Sequence, residues 1–361
     1  VDILANDLDV GALDTCVPPC LSLYQPTHRS HPENLQDPIR FKNLIKQLES
    51  SLLQKVTPAH AHTLLAPFLA VAEDPDFWAH TRDGLAVLGG LDTFHVFRLQ
   101  RPVPALAIVA DSFHTKPLMR QRQSADRFQV LGLTRHSVRL FEGNRDALDE
   151  VPLSPVVNAA LAEALGDQNA DQHNSEGAHT GDERFFRAVD RLVTEHYSKP
   201  SALPLLLATL PAHRGVFQAL THNGALLADG IDVHPDAISL DELRQRAWAV
   251  MEPHYVTTLD ALAEEFGGAK ARALGIDDVK AVAAAVAAGR VATLLIEADR
   301  LIPGRIDRDS GEIAVAPLDL PDVDDVLDDL AEMAVTMGGR VVVLPADRMP
   351  TDTGAAATLR F

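Results

Sequence analysis

At 361 residues the chain exceeds what one hydrophobic core usually organises, so two or three domains of roughly 100 to 150 residues are expected. A hydrophobic content of 46% with 23% charged residues is that of a globular protein, and no run approaches the roughly 20 apolar residues that span a bilayer. The 51 acidic residues outnumber the 32 basic ones for a formal net charge of -19, which disfavours non-specific DNA or RNA binding, since that relies on Lys and Arg displacing counterions.

The sequence starts at Val1 with no basic-then-apolar leader, and Cys16 and Cys20 precede a strand-like run, which together lead to an expectation of buried thiols in a reducing cytoplasm. A disulfide or half of a metal site is the alternative at that spacing, although no second Cys/His pair at zinc spacing follows, and neither a metal nor a cofactor is expected. The first domain, residues 1–120, opens on the strand LSLYQP and a polar turn through His28 to Ser30. Residues 39–53 then read as a helix whose stripe of Ile39, Leu44, Ile45, Leu48 and Leu52 faces the core, while Arg40, Lys42, Lys46 and Glu49 stay wet. A second helix is expected in HTLLAPFLAVAED, and three strands in GLAVLGG, FHVFRLQ and PALAIVA.

The second domain, residues 121–240, begins with a hairpin of FQVLGLT and SVRLFEGN. Residues 166–183 carry no apolar pattern and are dense in Asp, Asn, Gly and His, so a long mobile loop is expected there. Asp182 and Glu183 stand where a helix N-terminus welcomes negative charge, and Phe185, Val189, Leu192 and Val193 form the apolar side of the helix that follows. LPLLLATL supplies a buried strand, with a helix from Pro211.

The third domain, residues 241–361, pairs a helical connector with breaks at Pro253 and Gly267-Gly268 and a strand–helix–strand ending, which predicts a compact αβα domain. Its strands are VATLLIEAD and GRVVVLP, around a helix carrying Val323, Val326, Leu327, Leu330 and Met333 on one stripe. Asp322, Asp324, Asp325, Asp328 and Asp329 read as a solvated acidic start to that helix, lacking the spacing of a calcium loop.

CLSLYQPTH with DPIRFKNLIKQLESSLL, then the hairpin, polar stretch and RFFRAVDRL, then AAGRVATLLIEAD and the closing GAAATLRF follow one another in an order that resembles the archaeo-eukaryotic class 1 peptide-chain release factors and Pelota, above all their bacterial relatives. The resemblance implies an α/β chain of three domains, with a ribonuclease H-like middle domain and a C-terminal domain of the kink-turn-binding ribosomal-protein type. It also implies that the middle domain's functional loop lies before Arg184, where the family carries Gly-Gly-Gln to position water for ester hydrolysis. Here the segment reads Glu176, Gly177, Ala178, His179, Thr180, Gly181, and neither His179 nor Thr180 offers a side-chain amide. The Asn-Ile-Lys-Ser core that reads stop codons has no counterpart at Asp37-Pro38-Ile39-Arg40.

The resulting expectation is a ribosome-associated translation, rescue or stress factor without peptide-release chemistry, binding ribosome or tRNA-site RNA and a protein partner, with no membrane role. Arg120, Arg122 and Arg127 form the best basic patch for RNA. The alternative is a hydrolase or nuclease. Its candidates are a metal or acid/base site drawn from His28, His31, His173, His179, Asp171, Glu176 and Asp182, or carboxylates at Asp111, Asp126 and Glu142.

Overall fold

The computed structural model of the chain describes residues 2–4, 16–123, 126–171 and 175–361, of which 2–4, 122–123, 167–171 and 175–181 are described by their backbone alone. Two compact units result, Val1–Ser124 with Leu259–Phe361, and Ala125–Thr258.

The first unit begins with β1 (Asp2–Leu4), β2 (Cys20–Pro26), α1 (Asp37–Leu52), α2 (Pro58–Ala72), α3 (Pro75–Ala79), β3 (Gly84–Gly89), β4 (Phe94–Leu99), β5 (Leu106–Ala110) and α4 (Lys116–Gln123). Its five strands run in the order β1-β4-β3-β2-β5, antiparallel except for β1 beside β4. Alternation along each strand divides the side chains between two cores. Leu21, Leu23, Leu85 and Val87 pack with Phe41, Leu44, Leu48, Leu65 and Phe68 of the helices. Cys20, Tyr24, Ala86 and Leu88 join Phe97, Leu99, Phe113 and Leu118 in the other.

Two expectations are corrected in this part. Cys16 and Cys20 are joined as a disulfide rather than held as free thiols. Ile39 is 53% exposed, and Phe41 takes the place assigned to it in the buried stripe, because the helix starts at Asp37 and the core face includes the residue four before Ile45.

The second unit contains β6 (Phe128–Leu133), β7 (Val138–Gly143), β8 (Leu148–Val151), α5 (Pro155–Asp171), α6 (Ser175–Val193), a π-helical turn (Thr194–Ser198), α7 (Lys199–Ser201), β9 (Leu205–Thr209), α8 (Pro211–Leu220) and β10 (Ile231–Asp232), and ends within α9 (Leu240–Ala271). Its strand order is β10-β9-β6-β7-β8, with β6, β7 and β8 an antiparallel meander and β9 and β10 added in parallel. Leu131, Leu133, Leu140, Leu205 and Leu207 meet Phe185, Phe186, Val189 and Phe217 on one face. On the other, Phe128, Val130, Phe141, Leu206 and Ala208 meet Leu243, Ala247 and Met251, spaced by four along α9. The expected loop over 166–183 is corrected: the backbone is helical through Asp171 and again from Ser175, and residues 172–174 lie outside the described residues. The expected breaks at Pro253 and Gly267-Gly268 are absent as well, α9 running unbroken from Leu240 to Ala271 with Pro253 inside it.

The first unit resumes with the end of α9, β11 (Gly275–Ile276), α10 (Val279–Ala287), β12 (Val291–Glu297), β13 (Pro303–Ile306), β14 (Ile313–Val315), β15 (Asp324–Asp325), α11 (Val326–Thr336), β16 (Arg340–Leu344) and β17 (Ala355–Leu359). A four-stranded sheet in the order β11-β17-β12-β16 has β12 parallel to β16 and antiparallel to β17, beside a small sheet β14-β13-β15. Val282, Val286, Leu294, Ile296, Val326, Leu327, Leu330 and Val343 build its core, and Met119 of α4 inserts into it, which ties the two parts of this unit together. Gly338, at φ 71°, closes α11 in the left-handed region that favours glycine. Among the described residues no helix is long and apolar enough to cross a membrane.

Candidate functional site

The densest buried chemistry lies in the first unit, where the residues after β5 meet the start of α11. Phe113 anchors the chain in the apolar core and so carries its neighbours His114, Thr115 and Lys116 inward, where they are 1%, 3% and 1% exposed. Across from them, α11 is buried on nearly every side, so its acidic first turn has no solvent to face. Asp324, Asp325, Asp328 and Asp329 are therefore buried rather than solvated, which corrects the reading of this run as an exposed helix start. The helix itself begins at Val326, leaving Val323 ahead of it.

Most of these charges are partnered. His114 Nδ1 lies 2.9 Å from Asp324 Oδ1 and 3.7 Å from Asp328 Oδ2. The Lys116 ammonium donates to Asp325 and to the carbonyl of Arg300. Asp328 accepts the backbone N–H groups of Thr115 and Lys116. Asp325 caps α11 by accepting from Leu327 N at 3.2 Å, and also accepts from Ile302 N at 2.8 Å. The backbone of His114 is held in turn: the Tyr24 hydroxyl donates to its carbonyl, and its N–H donates to Ser22 Oγ at 2.9 Å.

The environment shifts these groups strongly. Burial alone would lower the His114 imidazole, but the charges of Asp328 and Asp324 and the hydrogen bond to Asp324 outweigh it and raise the pKa to about 9. Asp328 is raised to about 7, chiefly by burial and against the pull of His114. Burial, then Asp324 and Asp328, push Asp329 well above the carboxylate range. Both His114 and Asp328 thus bind protons more tightly when folded. The stability His114 contributes is complete below its unfolded value and is lost as pH rises through about 9, and the cost of ionising Asp328 grows as pH rises toward about 7. The melting temperature in chelator-containing buffer is accordingly expected to fall from about pH 6 to about pH 9.5. A profile that rises over that range would contradict this arrangement of charges.

The other expected site residues are not gathered in this way. Segment 176–181 forms the opening turns of α6, and its described boundary residue, Asp182, is held by Arg135 of the β6–β7 turn at 2.7 Å. His173 lies outside the described residues, and no side chain is described for Asp171, Glu176 or His179. His28 is spent on Asp37 at 2.9 Å, and Asp37 is fully buried and also paired with Arg40, so the Asp37–Arg40 stretch is a tied-down helix start, while His31 is exposed. Of the expected basic patch, Arg127 is 8% exposed and bonded to Glu142, Arg120 pairs with Asp299 at 2.6 Å, and no side chain is described for Arg122. Arg120 and Arg127 also belong to different units. The suggested carboxylate trio divides likewise, Asp111 in the first unit and Asp126 and Glu142 in the second, with Glu142 engaged by Arg127 and by Gln129 Nε2 at 3.1 Å. His114, Lys116 and the buried role of the aspartates were missed from the sequence.

Residues 127–290 match the model of bacterial archaeo-eukaryotic release factor family 3. Over these residues the chain is similar to that family. No curated protein matches it. Among solved structures, an archaeal translation termination factor is 18% identical, with 100% of this chain and 99% of that one covered at a TM-score of 0.28. A chain of a ribosome-bound archaeal Pelota and ABCE1 assembly is 14% identical, covering 75% and 73% at 0.43. S. cerevisiae Dom34, described as a translation termination-like factor interacting with Hbs1, is 12% identical, covering 66% and 65% at 0.39. At these identities and scores no chemistry carries across. The matched segment takes in the whole β6–β10 sheet and residues 176–181, whereas His114 and the buried aspartates lie on either side of it in the chain.

Proposed function

We propose that the chain is a translation-related factor that associates with the ribosome and lacks the family's peptide-release chemistry. The observation that carries this is the family match over residues 127–290, and the segment 176–181, which the resemblance sets at the Gly-Gly-Gln position, falls within that range. Two features support the finer reading. The meander of β6, β7 and β8 extended by the parallel β9 and β10 is the arrangement a ribonuclease H-like middle domain requires. In the segment before Arg184, the sequence Glu176 to Gly181 supplies imidazole, hydroxyl and carboxylate but no amide. The amide of glutamine can donate and accept at once without titrating, and a hydroxyl or imidazole at a different reach does not reproduce that placement of water. The third domain and a protein partner complete the proposal, with the cytoplasm as the place where ribosomes would be met.

The test is co-sedimentation of the full chain with bacterial ribosomes, empty and stalled, over a salt series. The expected result is co-migration at low salt that weakens as salt rises, since a chain of formal net charge -19 can hold ribosomal RNA only through local, screened contacts. In parallel, peptidyl-tRNA ester hydrolysis on the same ribosomes is expected to stay at background. Absence from ribosomal fractions at every salt concentration would remove the association, and hydrolysis that depends on His179 would remove the claim about chemistry.

A further inference from the structure

We propose that His114, Asp324 and Asp328 bind one divalent transition-metal ion of the Zn²⁺ or Mn²⁺ class, which fastens the segment after β5 to the start of α11. The three residues come from two distant parts of the chain, and one ligand atom from each lies within 4.8 Å of the others. Cation–ligand distances of about 2.0–2.2 Å place neighbouring donors roughly 3 to 3.5 Å apart, so the 2.9 Å and 3.7 Å separations already found are close to what a shared cation needs.

Two further observations point to a ligand. Asp324 Oδ2 and Thr115 Oγ1 have no hydrogen-bond partner, although both residues are 3% exposed. A buried carboxylate oxygen left without a donor is uncommon, and a cation would satisfy it. Charge points the same way. With Lys116 set against Asp325, the carboxylates of Asp324 and Asp328 face one imidazole, and a doubly charged cation with a neutral imidazole balances them. An imidazole nitrogen beside two carboxylates suits Zn²⁺ or Mn²⁺ better than Mg²⁺ or Ca²⁺, which prefer all-oxygen shells. The supporting bonds are also in place: Asp328 is oriented by the N–H groups of Thr115 and Lys116, and the backbone of His114 by Tyr24 and Ser22. Burial of all three ligands makes this a closed, structural site rather than one with an open position for substrate.

The inference is independent of the proposed role on the ribosome. It is tested on the full chain, stripped with a chelator and titrated separately with Zn²⁺, Mn²⁺ and Mg²⁺, with metal content measured after desalting. The wild-type chain is expected to retain about one Zn²⁺ or Mn²⁺ and no Mg²⁺, with a higher melting temperature when loaded. Asp324→Asn and His114→Gln, checked for folding by circular dichroism, are expected to weaken binding about 100-fold and to lose the thermal shift. Failure of the stripped wild-type chain to take up either metal would overturn the proposal and leave a proton shared between His114 and Asp324 as the bond. Uptake that both folded variants reproduce in full would overturn it too, by placing the ion elsewhere.

Discussion

Replacing Asp325 by alanine is expected to lower folding stability by about 3–5 kcal/mol, measured by urea denaturation of the metal-free chain. The carboxylate is fully buried and faces the Lys116 ammonium, itself 1% exposed, so its removal leaves a positive charge in a dry interior with the Arg300 carbonyl as its remaining acceptor among the bonds described above. The same substitution removes the acceptor for Ile302 N and the cap of α11, the latter worth about 1 kcal/mol. Asp325→Asn keeps acceptors for both N–H groups while removing the charge, so it separates capping from charge balance and should fall between wild type and alanine. Adding Lys116→Met to Asp325→Ala removes the stranded ammonium and should recover a large part of the loss, because a buried pair costs most when only one member is deleted. Additive losses in the double variant would show that the two residues do not act as a pair.

The elements that the sequence displayed well were those whose evidence is local. Period-two alternation in Leu21 to Tyr24 and in Phe128 to Leu133 reports a strand with two buried faces, and the spacing of Leu44, Ile45, Leu48 and Leu52 reports a helix with one. The buried aspartates could not be found that way, because their partners lie 209 to 213 residues earlier and an acidic helix start looks the same whether water or an ammonium stands opposite. A signal was present in the alternation of apolar and acidic residues: with Val326, Leu327, Leu330 and Met333 already covering much of the helix surface, little of it was left to be a solvated face. Pro253 misled for a related reason. Proline removes one backbone donor, but the stripe of Ala247, Met251, Tyr255, Leu259 and Leu262 stays buried on both sides of it, and packing of that length outweighs one lost bond. The polar stretch before Arg184 lacks apolar periodicity on its α5 side, where composition alone suggested a loop, while the backbone is helical there.

Arg127→Met provides the second large effect and decides what that residue is for. Read as part of a basic patch, Arg127 should matter to RNA binding and hardly at all to folding, since an exposed arginine contributes little stability. In the structure its guanidinium donates to Glu142 on β7, with both side chains 9% exposed, and Gln129 of the neighbouring strand donates to the other carboxylate oxygen. Removing the guanidinium takes a counter-charge from a carboxylate set between paired strands, for which a loss of about 3–5 kcal/mol is expected. Glu142→Gln in the Arg127→Met background should restore much of the loss by removing the charge at constant shape. Urea denaturation of the wild-type chain and these two variants reads both outcomes. Wild-type stability in Arg127→Met, together with weakened ribosome association, would return the residue to the role of an RNA contact and would show that its pairing with Glu142 is dispensable.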